Sequence, residues 1–170
     1  MRVGNMPAIG LALTLVTASV VTTVLPRDVM AHGVNFAAGS PGDPKKPARV
    51  IEIIAREGDG RMSYTPDAID VKRGEQIRFV IKNEGVLAHE FLLDSFEGNA
   101  KHKIQMEKNP EMEHDEPNGV RLEPKKDGGV LWIFDKVGKF EFACLIPGHY
   151  EGGMKGVITV ADAKPATKKK

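Results

Sequence analysis

Between residues 50 and 160 the apolar side chains come in short runs, many with a period of two, separated by turn residues such as Gly, Pro and Asn. Residues 75–83 are the clearest case, with Ile77, Phe79 and Ile81 alternating with Gln76, Arg78 and Lys82. Successive strand side chains point to opposite faces, so this pattern describes a half-buried strand and disfavours a helix. Residues 50–56 are β-branched and apolar, and 68–72 stop at the turn Arg73-Gly74. In 89–93, His89, Phe91 and Leu93 share a phase; in 139–144, Phe140, Phe142 and Cys144 do. Residues 130–134 are apolar throughout, as in a strand buried on both sides, and 156–160 close the set. Short strands with such turns predict an all-β fold, an antiparallel Greek-key β-sandwich. The exception is 95–117, polar and ionic, read as a loop or short helix inserted between strands.

The ends of the chain differ from this core. Arg2 precedes an uncharged stretch at 9–25, and Val29-Met30-Ala31 offers a small-residue cleavage site, so 1–31 read as an export signal. The competing reading is an uncleaved anchor. Against it, the stretch is short of the ~20 residues that span a bilayer and is diluted by Thr and Ser. Residues 32–49, rich in Gly, Pro and Ala and without a period, predict a flexible, extended arm. Residues 50–161 form the expected folded domain, and 162–170 a solvated tail ending in three lysines.

Charge and cysteine content narrow the function. The 170 residues carry 24 Lys+Arg against 23 Asp+Glu, and cleavage after Ala31 leaves the two signs equal. That balance provides no electrostatic footprint for nucleic acid. A single Cys excludes an intrachain disulfide framework and any site built from several cysteines. In an exported, periplasmic chain an odd thiol needs an occupant.

The sequence Cys144-Leu-Ile-Pro-Gly-His149-Tyr-Glu-Gly-Gly-Met154 puts a thiol, an imidazole and a thioether on one loop, with His89 on an upstream strand. Taken singly, a buried Cys is usually a small hydrophobe and a Met usually core filler. Together, two imidazoles and a thiolate with a weak axial thioether describe a mononuclear blue-copper site, in which one Cu(I)/Cu(II) ion is held by His89, Cys144, His149 and axial Met154. Pro147-Gly148 turns the loop back and Gly152-Gly153 bends it again.

At these residues the chain resembles the cupredoxins, the type 1 copper proteins. The resemblance covers residues 50–160 and implies a cupredoxin-like sandwich with Met154 as axial ligand. The four-residue Cys–His spacing looks like rusticyanin and auracyanin. The stretches GDPKKPARV, AHEFLL, MEHDEPN and FACLIPGHYEGGM are similar to exported bacterial cupredoxins linked to copper tolerance. Many electron carriers of the family follow the first His with Asn or Ser, which ties the ligand loops together; here Glu90 follows.

The resemblance implies periplasmic one-electron transfer by a monomer with a redox partner such as a cytochrome. The alternative is copper tolerance, in which the chain binds, buffers or oxidises copper among copper-handling proteins. Enzyme chemistry is not expected: the thiol faces the core, and no second Cys or His-x-His pair exists for a larger copper centre. The polar insert carries Met106, Met112 and His114, and cleavage would expose His32 as an amino terminus. These four are the weaker candidates for a second copper site.

Overall fold

The structure, a computed structural model, describes residues 36–110 and 116–163. The expected signal (1–31), His32, Met112, His114 and the last seven residues of the tail lie outside the described residues. Ten strands and one helix follow in chain order: β1 (Ser40–Pro41), β2 (Arg49–Gly58), β3 (Arg61–Thr65), β4 (Ala68–Lys72), β5 (Gln76–Asn83), β6 (His89–Asp94), α1 (Phe96–Lys108), β7 (Gly119–Leu122), β8 (Asp127–Ile133), β9 (Gly138–Ala143) and β10 (Lys155–Ala161). They form two sheets, ordered β1-β8-β5-β2-β3 and β4-β10-β9-β6-β7. The all-β sandwich is as the alternation predicts, with one change. β2 pairs with β5, and β4 with β10, in parallel, so each sheet is mixed and not wholly antiparallel.

The core lies between the sheets. Ile77, Phe79 and Ile81 of β5 point inward beside Ile53 and Ala55 of β2, and meet Phe91, Leu93, Phe142, Ile158 and Val160 from the other sheet. Phe91 stacks on Phe142 with ring centroids 5.2 Å apart, and Tyr64 packs against both. Full burial of each large side chain contributes about 1.5–3 kcal/mol, which makes this interlocking layer the main source of stability.

Three expectations change in the folded chain. Val130, Trp132 and Phe134 are buried while Leu131 and Ile133 are only half-covered, so β8 is one-sided. The strand buried on both faces is β6, whose residues His89 to Leu93 are all buried. The insert explains this, because α1 lies over the outer face of that sheet and Leu92 packs with Met106, Ala143 and Leu145. Ser95 caps the helix by accepting a hydrogen bond from the Gly98 amide at 3.0 Å, which satisfies an otherwise orphaned donor.

The third correction concerns the arm. From residue 36 onward it is docked, not flexible. Phe36 meets Trp132 edge-on at 5.0 Å, Ala38 is fully buried, and Ser40–Pro41 pair with β8. Gln76 holds the next stretch, accepting from the Asp43 amide at 2.8 Å and donating to the carbonyls of Asp43 and Lys46. One aromatic anchor and one amide side chain do this work, so no periodic pattern marks it.

Candidate metal centre

The site forms where β6 begins and β9 ends. Their neighbouring positions in the second sheet bring His89 and Cys144 together across 55 residues of chain. The loop after Cys144 then folds back on itself. His149 N donates to Ile146 O at 3.0 Å, Met154 N to His149 O at 3.0 Å, and Cys144 N to Met154 O at 3.0 Å. These bonds hold the three functional positions of the loop to one another through the backbone. The reversals fall at Gly148 (φ +88°) and Gly153 (φ +103°), a region costly for residues with a Cβ. β3 steadies the far side, where Met62 N donates to Gly152 O at 2.9 Å.

His89 Nδ1 lies 3.2 Å from His149 Nδ1, and Cys144 Sγ lies 3.4 Å from the same His149 nitrogen. The three donor atoms all fall within 4.8 Å of one another. An ion bonded to two imidazoles at about 2.0–2.1 Å and a thiolate at about 2.3 Å in a trigonal plane sets those donors roughly 3.5–3.8 Å apart. The two His149 separations are within a few tenths of an ångström of that spacing, and closing the third edge, bounded at 4.8 Å, by up to about 1 Å admits one ion. Among the described residues this is the one grouping of His, Cys and carboxylate donors so spaced.

Burial shapes the electrostatics. His89, Cys144 and Met154 are fully inaccessible and His149 is 8% exposed, so His149 is the donor residue nearest solvent. Removal from water pushes the Cys144 thiol up to about 12, although the Glu90 and Ile146 amides favour its thiolate. Burial, reinforced by His89, lowers the His149 imidazole below its ordinary value. Soft sulfur and neutral imidazole in an apolar pocket suit copper in both oxidation states.

Glu90 supplies the link between ligand loops by another route than a side-chain amide. Its backbone N–H points at Cys144 Sγ at 3.3 Å, and its carbonyl accepts from the Tyr64 hydroxyl. Its carboxylate faces Arg121 of β7 at 3.6 Å.

Beneath the loop, α1 acts as a brace. Glu141 of β9 is 3% exposed and accepts from Asn99 of α1 at 3.1 Å and from the Tyr150 hydroxyl at 2.9 Å. Lys103 reaches Glu151 at 2.8 Å, and Lys155 sits 4.0 Å over the Tyr150 ring. Met106 is fully buried in this layer, against Leu92, Ala143 and Leu145. It fills the space between helix and sheet, which argues against its use in a second copper site. Leu145 belongs to this lower layer too.

One residue at the site escaped the sequence reading. Glu57 Oε2 lies 2.9 Å from His89 Nε2, while Glu57 Oε1 accepts from the amides of Val86 and Leu87. Burial raises the carboxyl's pKa, but the bonds from His89, Val86 and Leu87 outweigh it and bring it down to about 2. The signal was in the phase of β2. Ile53, Ala55 and Glu57 share its inner face, so a carboxylate ends a core-facing row.

Residues 51–161 match the model of the copper binding proteins of the plastocyanin/azurin family. The chain is similar to the copper-resistant cuproprotein CopI of Rubrivivax gelatinosus, at 40% identity over 130 residues covering 76% of this chain and 77% of that protein. It is also similar to CopI of Pseudomonas aeruginosa, at 37% identity over 76% of this chain and 84% of that protein. Auracyanin B shares the fold, with a TM-score of 0.58 at 22% identity, covering 75% of this chain and 99% of that one. A buried two-histidine, one-thiol pocket at the end of a mixed β-sandwich thus accompanies a family match over most of the folded chain, and the protein belongs to the plastocyanin/azurin family of copper-binding proteins, the cupredoxins, as a relative of copper-resistance cuproproteins.

Proposed function

We propose that this chain is a periplasmic copper-tolerance protein that holds one copper ion at His89, Cys144, His149 and axial Met154 and cycles it by one electron. The observation that carries the reading is the convergence of His89 Nδ1, His149 Nδ1 and Cys144 Sγ in a pocket closed to water. Copper supplies a one-electron couple that protein side chains lack. The residues keep the donors in place whether or not the charge changes: the backbone bonds among Cys144, His149 and Met154 fix the loop, and the Glu90 amide steadies the sulfur. The slight exposure of His149 makes it the port through which an electron enters or leaves.

The copper-resistance names of relatives at 40% and 37% identity favour tolerance as the physiological use. Simple electron carriage to a partner such as a cytochrome is the second reading, supported by the same closed site. A hydrolytic Cys–His enzyme is disfavoured. A fully buried thiol held near 12 is the opposite of an activated nucleophile. The leader expected at 1–31 from the sequence is the basis for proposing the periplasm. Among the described residues no helix is long and apolar enough to cross a membrane.

The test is a visible and EPR spectrum of the protein with Cu(II), beside Cys144→Ser. Intense thiolate-to-copper absorption that disappears in the variant is the expected result, and a colourless wild type would sink the assignment. Deletion separates the two uses: a tolerance protein leaves respiration intact and raises copper sensitivity, whereas a carrier's loss impairs its redox chain.

A further inference from the structure

We infer that Glu57 is a positioning residue of this centre: its carboxylate fixes the His89 ring with Nδ1 facing Cys144 and His149, and favours Cu(II) over Cu(I) there. The inference rests on the copper reading of the three donor residues. Its geometry is independent of it.

A carboxylate in this position accepts hydrogen bonds, so the imidazole nitrogen 2.9 Å from Glu57 Oε2 is the one that carries the proton. In a neutral ring the other nitrogen, Nδ1, then holds the free lone pair. That is the atom 3.2 Å from His149 Nδ1. His89 itself is wholly buried, whereas the Glu57 side chain keeps 19% of its surface. The carboxylate therefore retains some solvation while bonded to a ring that has none.

Glu57 is also held from behind. Oε1 accepts from the Val86 amide and, at 2.9 Å, from the Leu87 amide, both in the segment that leads into β6. Gly85 makes room for it, since a Cβ there would come within 1.8 Å of Glu57 Oε2. The end of β2, the 84–88 connection and the first residue of β6 thus converge on one carboxylate. A backbone carbonyl in the same place would orient the ring but bring no charge. The carboxylate makes the imidazole a stronger donor and places a negative charge behind it, and both effects stabilise the more highly charged ion. The other nearby carboxylate, Glu90, already has Arg121 opposite it.

Three measurements test this on the full folded protein. First, nitrogen NMR of the metal-free wild type should find His89 protonated at Nε2 and bare at Nδ1; Glu57→Ala should give a mixture of tautomers. Second, Cu(II) and Cu(I) are each titrated against chromogenic chelators in wild type and Glu57→Gln, which keeps the size and removes the charge; because its amide has one acceptor oxygen where the carboxylate has two, the comparison is read on a variant whose His89 is found by the same NMR to be still protonated at Nε2. Outer carboxylate partners of ligating histidines change metal affinity about 10–100-fold. We expect about a tenfold loss for Cu(II) with Cu(I) little changed, which for a one-electron couple raises the potential by about 59 mV. Third, Glu57→Asp, charged but shorter, should restore part of that difference. Equal losses for both ions would mean that Glu57 merely ties the loop to β2, and unchanged affinities would mean that it does nothing for the metal. Either result overturns the inference. A wild type with no Cys144-dependent band refutes the copper reading instead, and the tautomer in the metal-free protein still reports separately on the positioning role. If Glu57→Ala does not fold, Glu57→Val, which also removes the acceptor, carries the tautomer measurement.

Discussion

The Tyr150 hydroxyl is a small target with a large expected consequence. Tyr150→Phe removes one oxygen and nothing of the ring, so the contact with Lys155 and the packing on the helix layer remain. What is lost is the 2.9 Å bond to Glu141 Oε1, an acceptor on a residue only 3% exposed whose other partner is Asn99. A hydrogen bond to a carboxylate contributes about 1.5–3 kcal/mol when well buried. Tyr150 is itself half-buried, so water reaches part of the gap and the lower end, about 1–2 kcal/mol, is the better expectation. Urea unfolding of the metal-free protein measures it, and a double-mutant cycle with Glu141→Gln isolates the pair, with a coupling near 1 kcal/mol expected for groups in contact. Tyr150 follows His149 directly, so copper release into a chelator should quicken in the variant while the absorption band keeps its position. An effect under 0.5 kcal/mol together with an unchanged release rate would refute the claim that α1 and Glu141 brace the loop.

Other substitutions probe separate parts of the structure. Met106→Ala empties a fully buried site between helix and sheet and should cost about 2–5 kcal/mol in urea unfolding while still binding one copper per chain. Gly148→Ala meets no atom within 4 Å but needs φ +88°, so a penalty of about 1–2 kcal/mol from the backbone alone is expected, read as a lowered unfolding midpoint. Gln76→Ala should free the docked arm, seen as faster amide exchange at Asp43, whose N–H loses its acceptor. Glu75 is pushed up by burial but pulled down further by Arg49 and the Lys72 amide, so its folded value lies below its unfolded one. Its contribution is therefore present above about pH 4.3 and fades as the pH falls through the folded value. The stability gap between wild type and Glu75→Gln should be widest near neutrality and close in acid.

Strand positions were legible because alternation is local: Ile77, Phe79 and Ile81 face the core as their spacing requires. The proposed metal centre could be picked out for a similar reason, since Cys144, His149 and Met154 lie on one loop and only His89 had to be found elsewhere; the fold brings His89, Cys144 and His149 together. What failed to show were contacts made by single residues across the fold. Phe36 and Gln76 dock the arm without any repeating pattern. A run of apolar residues at 130–134 does not reveal how many layers will cover it, and in a two-layer sandwich only the sheet under α1 is covered twice. Glu90 illustrates a different limit. Its side chain departs from the family's usual amide, yet the contact to sulfur comes from the backbone, which every residue type but proline supplies.

The amino-acid order thus specified the class of fold, the four residues proposed to hold copper and the points where their loop must turn, because periodicity, donor chemistry and glycine are properties of neighbouring residues. Tertiary structure decided the rest. It selected which nitrogen of His89 faces the centre, placed Glu57 behind that ring, and set a helix beneath the loop through Asn99, Glu141 and Tyr150. Apart from the Glu141–Tyr150 bond, which joins residues nine positions apart, those outcomes depend on distances between residues 32 to 60 positions apart or on the coverage of a sheet face, and such distances exist only once the two sheets have closed on each other.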